Sequence, residues 1–222
     1  MICGIFVCPA GWRLAPPVHF FSLMETHKPT QGASATARTG LERWEIDPTG
    51  SSLEFTLRHL IIQEIRGVFH RWGGTVHIDR EQPLRSRVEI WIELASIDTG
   101  STERDDHVRS AEFLDVARYP RARFTGTAIA VGAEGIRLRG RLDLHGVNQA
   151  IEVEVTPGEI ARDENGVARA KYAAHGAINR QLYALHWNQD LDVGGVVVGD
   201  RIELHARVET LRVPGDARAP VT

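Results

Sequence analysis

The chain has 222 residues, of which 42% are hydrophobic and 25% charged, enough for one globular domain with a sizeable core. Its net charge is -3, and its two cysteines, Cys3 and Cys8, both lie in the first ten residues. The cysteine positions exclude a disulfide framework or a thiol nucleophile in the folded body. The negative net charge disfavours nucleic acid and anionic membrane surfaces as partners. The sequence has no run of about 18 apolar residues that would span a membrane.

Residues 1–42 differ in composition from the rest and are predicted to form a disordered leader. Their apolar stretch is broken by charged and proline residues and lacks the basic start of a secretory signal, and Met24 is an alternative start. The polar residues that follow cannot bury enough surface to fold. A disordered tail is predicted over 214–222, which leaves 43–213 as the domain. We expect a cytoplasmic protein, or a periplasmic or secreted one if the leader acts as a signal.

From Trp44 onward, apolar and polar residues alternate, which is the pattern of half-buried β-strands. In the cleanest run, Val88, Ile90, Ile92 and Leu94 share one face. Short connections that carry Gly, Asn or Asp separate eight or nine such segments, which favours antiparallel pairing. The segments are a short one at Trp44, then 53–59, 68–79, 88–95, 122–131, 136–144, 151–155, 168–178 and 201–209.

One stretch interrupts the alternation. Between Thr102 and Ser110 the pattern gives way to charged residues, with helix-start chemistry at Thr102 and a proline stop at Pro120. This predicts a short helical insert that plugs the sheet. Within the segment 68–79, the pair Gly73-Gly74 predicts a bend or bulge, and a closing sheet needs such curvature.

About eight strands, each apolar on one face, pack either as a sandwich or as a closed barrel. Periodicity alone does not choose between them. The apolar faces hold many small or β-branched residues, and aromatic residues are only 7% of the chain, which indicates an interior with room for a ligand. The pattern therefore predicts an all-β fold with a short helical insert.

Motifs distributed along the chain carry a resemblance to one family. They are Trp44-x-Ile46-Asp47, Arg66-Gly67-x-Phe69, Ala95-Ser96-Ile97-Asp98-Thr99-Gly100, Arg104-Asp105-x-His107-Val108, Tyr119-Pro120, Leu144-His145-Gly146-Val147, Asn179-Arg180 and Val198-Gly199-Asp200. Taken in order over residues 44 to about 211, they resemble the YceI-like family of lipid- and polyisoprenoid-binding proteins. The resemblance implies an extended eight-stranded antiparallel barrel similar to lipocalins, closed by the short helical insert. Its long apolar tunnel would hold an isoprenoid chain, such as a polyprenyl phosphate or pyrophosphate or a quinone tail.

The chain departs from the family's usual residues at three places. Tyr183-Ala184 stands where Phe-Gly is common, Asp143 stands where Thr is common, and an Arg-Pro pair that is common near Gln149-Ala150 is replaced.

An isoprenoid tail has no polar groups along its length, so its affinity would come from apolar area removed from water. The inward strand faces are therefore the predicted ligand contacts, and ordinary core packing is an equal alternative for each of them. The apolar candidates are Phe55, Leu57, Phe69, Ile90, Ile92, Phe124, Leu142, Leu144 and Leu204.

Polar candidates lie where strand patterns end or turns begin. Arg66 and Arg180 have the guanidinium geometry that suits a pyrophosphate, and each could instead pair with an acidic residue. His59 and His145 could donate to a ligand headgroup or bond a backbone carbonyl. Ligand contacts are predicted for His59, Arg66 and Arg180.

Motifs for catalysis, metals and cofactors are lacking. There is no Gly-x-Ser-x-Gly elbow, phosphate loop, dinucleotide fingerprint or His-Glu-x-x-His, so we expect neither a metal nor a cofactor. The run Arg104-Asp105-x-His107 is interpreted as a polar network that fastens the helical insert to the barrel.

The sequence therefore predicts a non-enzymatic protein that binds, sequesters or transports an isoprenoid lipid. One alternative is a lipid-modifying enzyme that uses His59, His107 or His145 as acid or base. Another is a filled-core, stress-related interaction protein with Trp91 as an anchor. Trp91, flanked by acidic residues on an outward face, also indicates a homodimer surface.

Overall fold

A computed structural model describes residues 41–59, 63–133, 135–187 and 198–214, so almost all of the predicted leader and tail lies outside the described residues. The described chain forms eleven β-strands and one α-helix. The strands are β1 (Glu42–Ile46), β2 (Ser52–His59), β3 (Gln63–Phe69), β4 (Trp72–Ile78), β5 (Arg87–Glu93), β6 (Ile97–Asp98), β7 (Arg121–Gly132), β8 (Gly135–Leu144), β9 (Val147–Arg162), β10 (Ala168–Asn179) and β11 (Val198–Arg212), and the helix α1 is Thr102–Arg109.

These strands form one antiparallel sheet that closes on itself, because β1 pairs with β4 on one side and with β11 on the other. Three positions around the barrel are each filled by two consecutive strands, since β1 continues into β2, β3 into β4 and β5 into β6. Neighbours around the barrel are therefore consecutive along the chain. The result is an eight-stranded up-and-down barrel, which confirms the predicted fold class.

The closing strand is the long β11, which pairs with two different strands of the first barrel position. Its first half pairs with β2, where Leu204 lies opposite Phe55, and its second half pairs with β1, where Thr210 lies opposite Ile46. One strand therefore holds both halves of the broken position in register. The prediction 201–209 was too short for this strand, as 151–155 was for β9.

The segment 68–79 was predicted as one strand with a bend at Gly73-Gly74, and this placement is wrong. The chain breaks at His70-Arg71 instead, and both glycines lie inside the regular strand β4. A Cβ atom at Gly74 would overlap the carbonyl oxygen of Glu89 on β5. The glycine is needed for the close approach of two strands, which the sequence pattern does not distinguish from a bend.

The helical insert lies between β6 and β7, as predicted. Its N-cap is Ser101, whose hydroxyl accepts from the Arg104 N–H at 3.4 Å. Arg109 at the last turn donates to the backbone oxygens of Ala95 and Ile97, at 3.0 and 2.6 Å. The helix is thereby tied to the strand end that precedes it. Among the described residues, no helix is both long enough and apolar enough to cross a bilayer.

Side chains alternate across the barrel wall as the sequence pattern predicts. On the outer face of β8 and β9, Arg139 lies opposite Glu152, and their charged groups are 2.7 Å apart. On the inner face of β7 and β8, the Phe124 ring covers the cross-strand pair Gly126 and Gly140, so that a Cβ atom at either glycine would strike the ring. The apolar core therefore lies inside the closed sheet.

Candidate ligand-binding site

The barrel brings the predicted apolar residues together on its inner face, in one apolar cluster. Leu204 lies opposite Phe55 across β11 and β2. Phe124 lies opposite Ile90 on one side and Leu142 on the other. The structure thus places these side chains in a common interior, and their role as ligand contacts stays a prediction. The members are Phe55, Leu57, Phe69, Ile90, Ile92, Phe124, Leu142, Leu144 and Leu204.

Side chains do not fill this interior completely. Inward residues in the middle of β9 and β10, such as Ile151, Val153 and Ala174, are only half-buried, as are Leu57 and Leu204. Because the barrel wall is closed, accessible surface on an inward side chain in the middle of a strand faces the interior. The barrel therefore encloses an accessible apolar lumen, which is what a small-ligand barrel requires.

One end of the lumen is capped by the helical insert and by residues 180–187. Under this cap lies a tightly buried apolar group in which no side chain is more than 5% exposed. Several of its members were missed by the sequence analysis because they lie in turns, where no alternating pattern marks them as apolar core. The group consists of Leu94, Ile97, Leu114, Tyr183 and Leu185.

Arg180 is the structural centre of this cap. Its side chain is fully buried, and its guanidinium group donates to four backbone oxygens at 2.7–3.1 Å and lies 3.3 Å from an Asp200 carboxylate oxygen. The four acceptors are the carbonyl groups of Leu185, Trp187, Val198 and Gly199. Burial lowers the pKa of Arg180, and the Asp200 charge opposes that shift. These contacts occupy the N–H groups of Arg180, so none remains to bind a pyrophosphate. The role of Arg180 is structural.

The other polar candidates do not line the lumen either, where the structure describes them. Arg66 is paired with Glu64 at 2.8 Å, its side chain is 78% exposed, and it lies opposite Thr56 on the outer face. His59 ends β2 in backbone register with Gln63, and its side chain lies outside the described residues. The Arg66 side chain therefore lies in solvent, outside the lumen.

His145 supports the cap from the turn between β8 and β9. Its backbone is left-handed, with φ at 54°, and its Nδ1 lies 3.2 Å from the Tyr183 carbonyl oxygen. Its ring also meets Tyr119 edge-on, with ring centres 4.6 Å apart. The His145 side chain thus contacts both the segment of Tyr183 and that of Tyr119, which is a structural role.

The run Arg104-Asp105-x-His107 forms the fastening network that its pattern indicated. Buried Asp105 accepts from the N–H and the hydroxyl of Thr99 at 3.0 and 2.6 Å, and Arg104 donates to the same threonine. The His107 ring packs edge-on against Trp187 at 4.5 Å. Among the described side chains, no three His, Cys, Asp or Glu groups are placed to share a metal ion.

Tyr183 carries a polar atom that lacks a partner. Its side chain is 1% exposed, and its hydroxyl has no hydrogen-bond partner within the described part of the chain. Burial raises the pKa of Tyr183 to about 12. Leaving a buried hydroxyl unpaired opposes folding by about 1–3 kcal/mol.

Replacing Tyr183 with Phe is therefore expected to raise the free energy of unfolding at pH 7 by about 1 kcal/mol. The Tyr183 pKa is near 10 in the unfolded chain and near 12 in the folded one. The wild type's free energy of unfolding is therefore unaffected by this titration below pH 10 and falls as the pH rises to 12, because only the unfolded tyrosine ionises over that interval. The stability gap between the variant and the wild type should widen over that interval. Urea unfolding of both proteins at pH 7, 9 and 11 measures this gap. A gap that is the same at all three pH values would contradict a buried, unpaired Tyr183 hydroxyl.

The opposite end of the barrel is polar. Glu42 at the start of β1 pairs with Arg80 at 2.9 Å and with Arg212 at 3.1 Å. The buried ring of Trp44 donates to the same carboxylate at 3.3 Å. The two ends thus differ, with an apolar cap at one and a network of ion pairs at the other.

A closed antiparallel barrel with an accessible apolar lumen and a helical cap defines the class of small-ligand-binding β-barrels. A YceI-like domain matches residues 44–210 of this chain. The chain belongs to the YceI-like family.

Relatives of similar length support this assignment. A UPF0312 protein of Yersinia enterocolitica is 33% identical over 171 residues, which cover 76% of this chain and 86% of the relative. Protein YceI of Escherichia coli is 34% identical over 137 residues, which cover 61% of this chain and 72% of the relative.

Solved structures share the fold. BcnA of Burkholderia cenocepacia superposes with a TM-score of 0.64 at 18% identity, over 74% of this chain and 98% of the other. A domain of Saccharophagus degradans described as polyisoprenoid-binding gives a TM-score of 0.57 at 19% identity, over 77% and 98%. At this identity, the likeness shows the barrel architecture.

Proposed function

We propose that the protein binds one long apolar lipid of the isoprenoid class in the barrel lumen, and that it sequesters or carries this lipid without altering it. The observation behind the proposal is the ring of inward, half-buried apolar side chains in a closed barrel, including Ile151, Val153, Ala174 and Leu204. Family membership and the polyisoprenoid-binding description of a structural neighbour support it.

The chemistry of the lumen supports a lipid of this class. The inward side chains on β8 to β11 are mostly aliphatic, so a ligand gains affinity chiefly through the area it buries, about 2.5 kcal/mol per 100 Å². A methyl-branched hydrocarbon tail offers such area along its whole length. The contacts proposed for it are the nine inward residues from Phe55 to Leu204 that the sequence analysis selected, and neither Arg66 nor Arg180 is included.

Lipid-modifying catalysis is not part of the proposal. His145 is held between the Tyr183 carbonyl and the Tyr119 ring, and His107 packs on Trp187. In neither case does a described hydrogen bond couple the imidazole to a nucleophilic side chain, as in a nucleophile–base pair.

The test is to identify what the purified protein contains. The full chain is purified without detergent, weighed by native mass spectrometry, and extracted with organic solvent for lipid analysis. We expect one isoprenoid lipid per chain, and uptake of an added quinone or polyprenyl phosphate by protein that has been stripped of lipid. A chain that is empty on purification and takes up neither lipid would contradict the proposal.

A further inference from the structure

A second concave feature lies on the outside of the barrel, where β5 ends, β7 begins and β8 turns into β9. We call it the outer groove. Its volume is about 620 Å³. The Tyr119 ring forms part of its wall and lies so close to Gly146 that a Cβ atom there would be 2.7 Å from the ring. The groove is lined by Glu93, Arg118, Tyr119, Pro120, Arg121, Arg123, Asp143 and Gly146.

Two arginines of the groove pack on aromatic rings. The guanidinium carbon of Arg118 lies 5.2 Å from the centre of the Tyr119 ring, and that of Arg121 lies 5.4 Å from the centre of the Trp91 ring. In the described part of the chain, neither arginine has a carboxylate within 4.0 Å. Stacking restrains a guanidinium while leaving its edge N–H groups available.

The acidic residues of the groove cancel only part of this charge. Glu93 is already engaged by Arg71 through two hydrogen bonds of 2.9 and 3.0 Å, and this contact lowers the pKa of Glu93. Asp143 lies opposite Arg123 across β7 and β8. Glu93 also lies opposite Arg121 across β5 and β7, and the Arg121 charge adds to the lowering of its pKa. The groove therefore carries three arginines against two carboxylates, and one of these carboxylates is already shared with Arg71.

We propose that the outer groove is a binding site for a phosphate or diphosphate group, held by Arg118 and Arg121 with Arg123 beside them. Guanidinium edges match phosphate oxygens in geometry and charge, and a pair of them suits the two phosphates of a diphosphate. The motifs predicted such cations at Arg66 and Arg180, whereas the arginines of the groove lie elsewhere in the barrel wall. A free diphosphate and the diphosphate end of a prenyl lipid share this chemistry, and only the lipid source rests on the proposed function.

Exposed Trp91 lies beside this site, and its predicted role in a homodimer surface stays a prediction. Its ring is 38% exposed and carries the Arg121 guanidinium. A ligand phosphate at Arg121 would therefore sit at the edge of the indole, and binding should alter the tryptophan fluorescence.

The experiment measures the dissociation constants of three probes by titration calorimetry at low ionic strength. The probes are inorganic diphosphate, geranylgeranyl diphosphate and the uncharged alcohol geranylgeraniol. We expect the double variant R118Q/R121Q to raise the dissociation constant of inorganic diphosphate at least about tenfold, since each lost charged contact at an exposed site is worth about a factor of three to five. Asp143→Thr should lower this dissociation constant, because a negative charge that repels the diphosphate is removed from the groove. Arg137→Gln, an exposed change elsewhere on β8, is the matched control.

The outcomes separate the groove from the lumen. If the double variant and Asp143→Thr bind inorganic diphosphate as the wild type does, the groove site is refuted. If the groove variants change the affinity for inorganic diphosphate but no probe with a tail binds better than the free anion, the groove stands and the proposed lipid function fails. If the alcohol and the lipid diphosphate bind equally tightly and inorganic diphosphate does not bind, the lumen stands and the groove fails. Circular dichroism checks that these exposed variants fold.

Discussion

Replacing Arg180 with Met is expected to lower the free energy of unfolding by about 3–5 kcal/mol. The change removes the donor of four buried or part-buried backbone carbonyl groups, which then lack a partner in an apolar cap. It also separates the start of β11 from residues 185–187, because the guanidinium group is the bond between them. Arg180→Lys should recover little, since one ammonium group has three N–H donors in a different geometry.

The matched control is Arg66→Met, on a side chain that is 78% exposed and paired with Glu64. Its effect should stay within about 0.5 kcal/mol. Urea unfolding followed by circular dichroism gives both values. Equal effects at the two arginines would show that Arg180 does not hold the cap together.

Replacing Ala174 with Trp is expected to abolish lipid uptake, if the lumen is the binding site as we propose. Ala174 lies inward in the middle of β10, opposite Val155 and Ala206, so an indole at this position would project into the space a tail needs. The neighbouring residue Ala173 is exposed on the outer face of the same strand. Ala173→Trp therefore adds the same side chain to the same strand without entering the lumen.

Uptake of a quinone by lipid-stripped protein measures the effect of both variants. We expect loss of more than about tenfold in affinity for Ala174→Trp and a change of less than about twofold for Ala173→Trp. The Ala174 variant should remain folded, because its neighbours are small and the lumen has accessible space. Equal uptake by the two variants would place the ligand outside the barrel.

Much of the fold could be predicted from local pattern. Period-two alternation identified the strands because each strand separates an apolar lumen from water, and the same pattern selected Phe124, Leu142 and Leu204 as inward residues. The helical insert was recognisable for the opposite reason, since its charges break that alternation. Boundaries were less certain, as the break at His70-Arg71 shows, because a glycine pair is compatible with both a bend and a close strand contact.

The polar residues were harder to assign. Arg66 and Arg180 look alike as motif residues, but one lies in solvent and the other is buried among carbonyl groups. Tyr183 and Leu185 were missed as core because their segment has no strand period. A family resemblance indicates which positions matter, whereas burial and hydrogen bonding decide what each one does.

The sequence by itself determined the all-β class, the antiparallel order, the helical insert and the apolar inner face, because these depend on alternation and turn residues within a few positions of each other. Only the tertiary structure decided that the sheet closes, that the lumen keeps accessible space, that Arg180 donates to the carbonyl groups of the cap, and that Arg118 and Arg121 line one groove. These outcomes depend on pairs far apart in the chain, such as β1 with β11 or Arg180 with Val198, and closure alone brings them together.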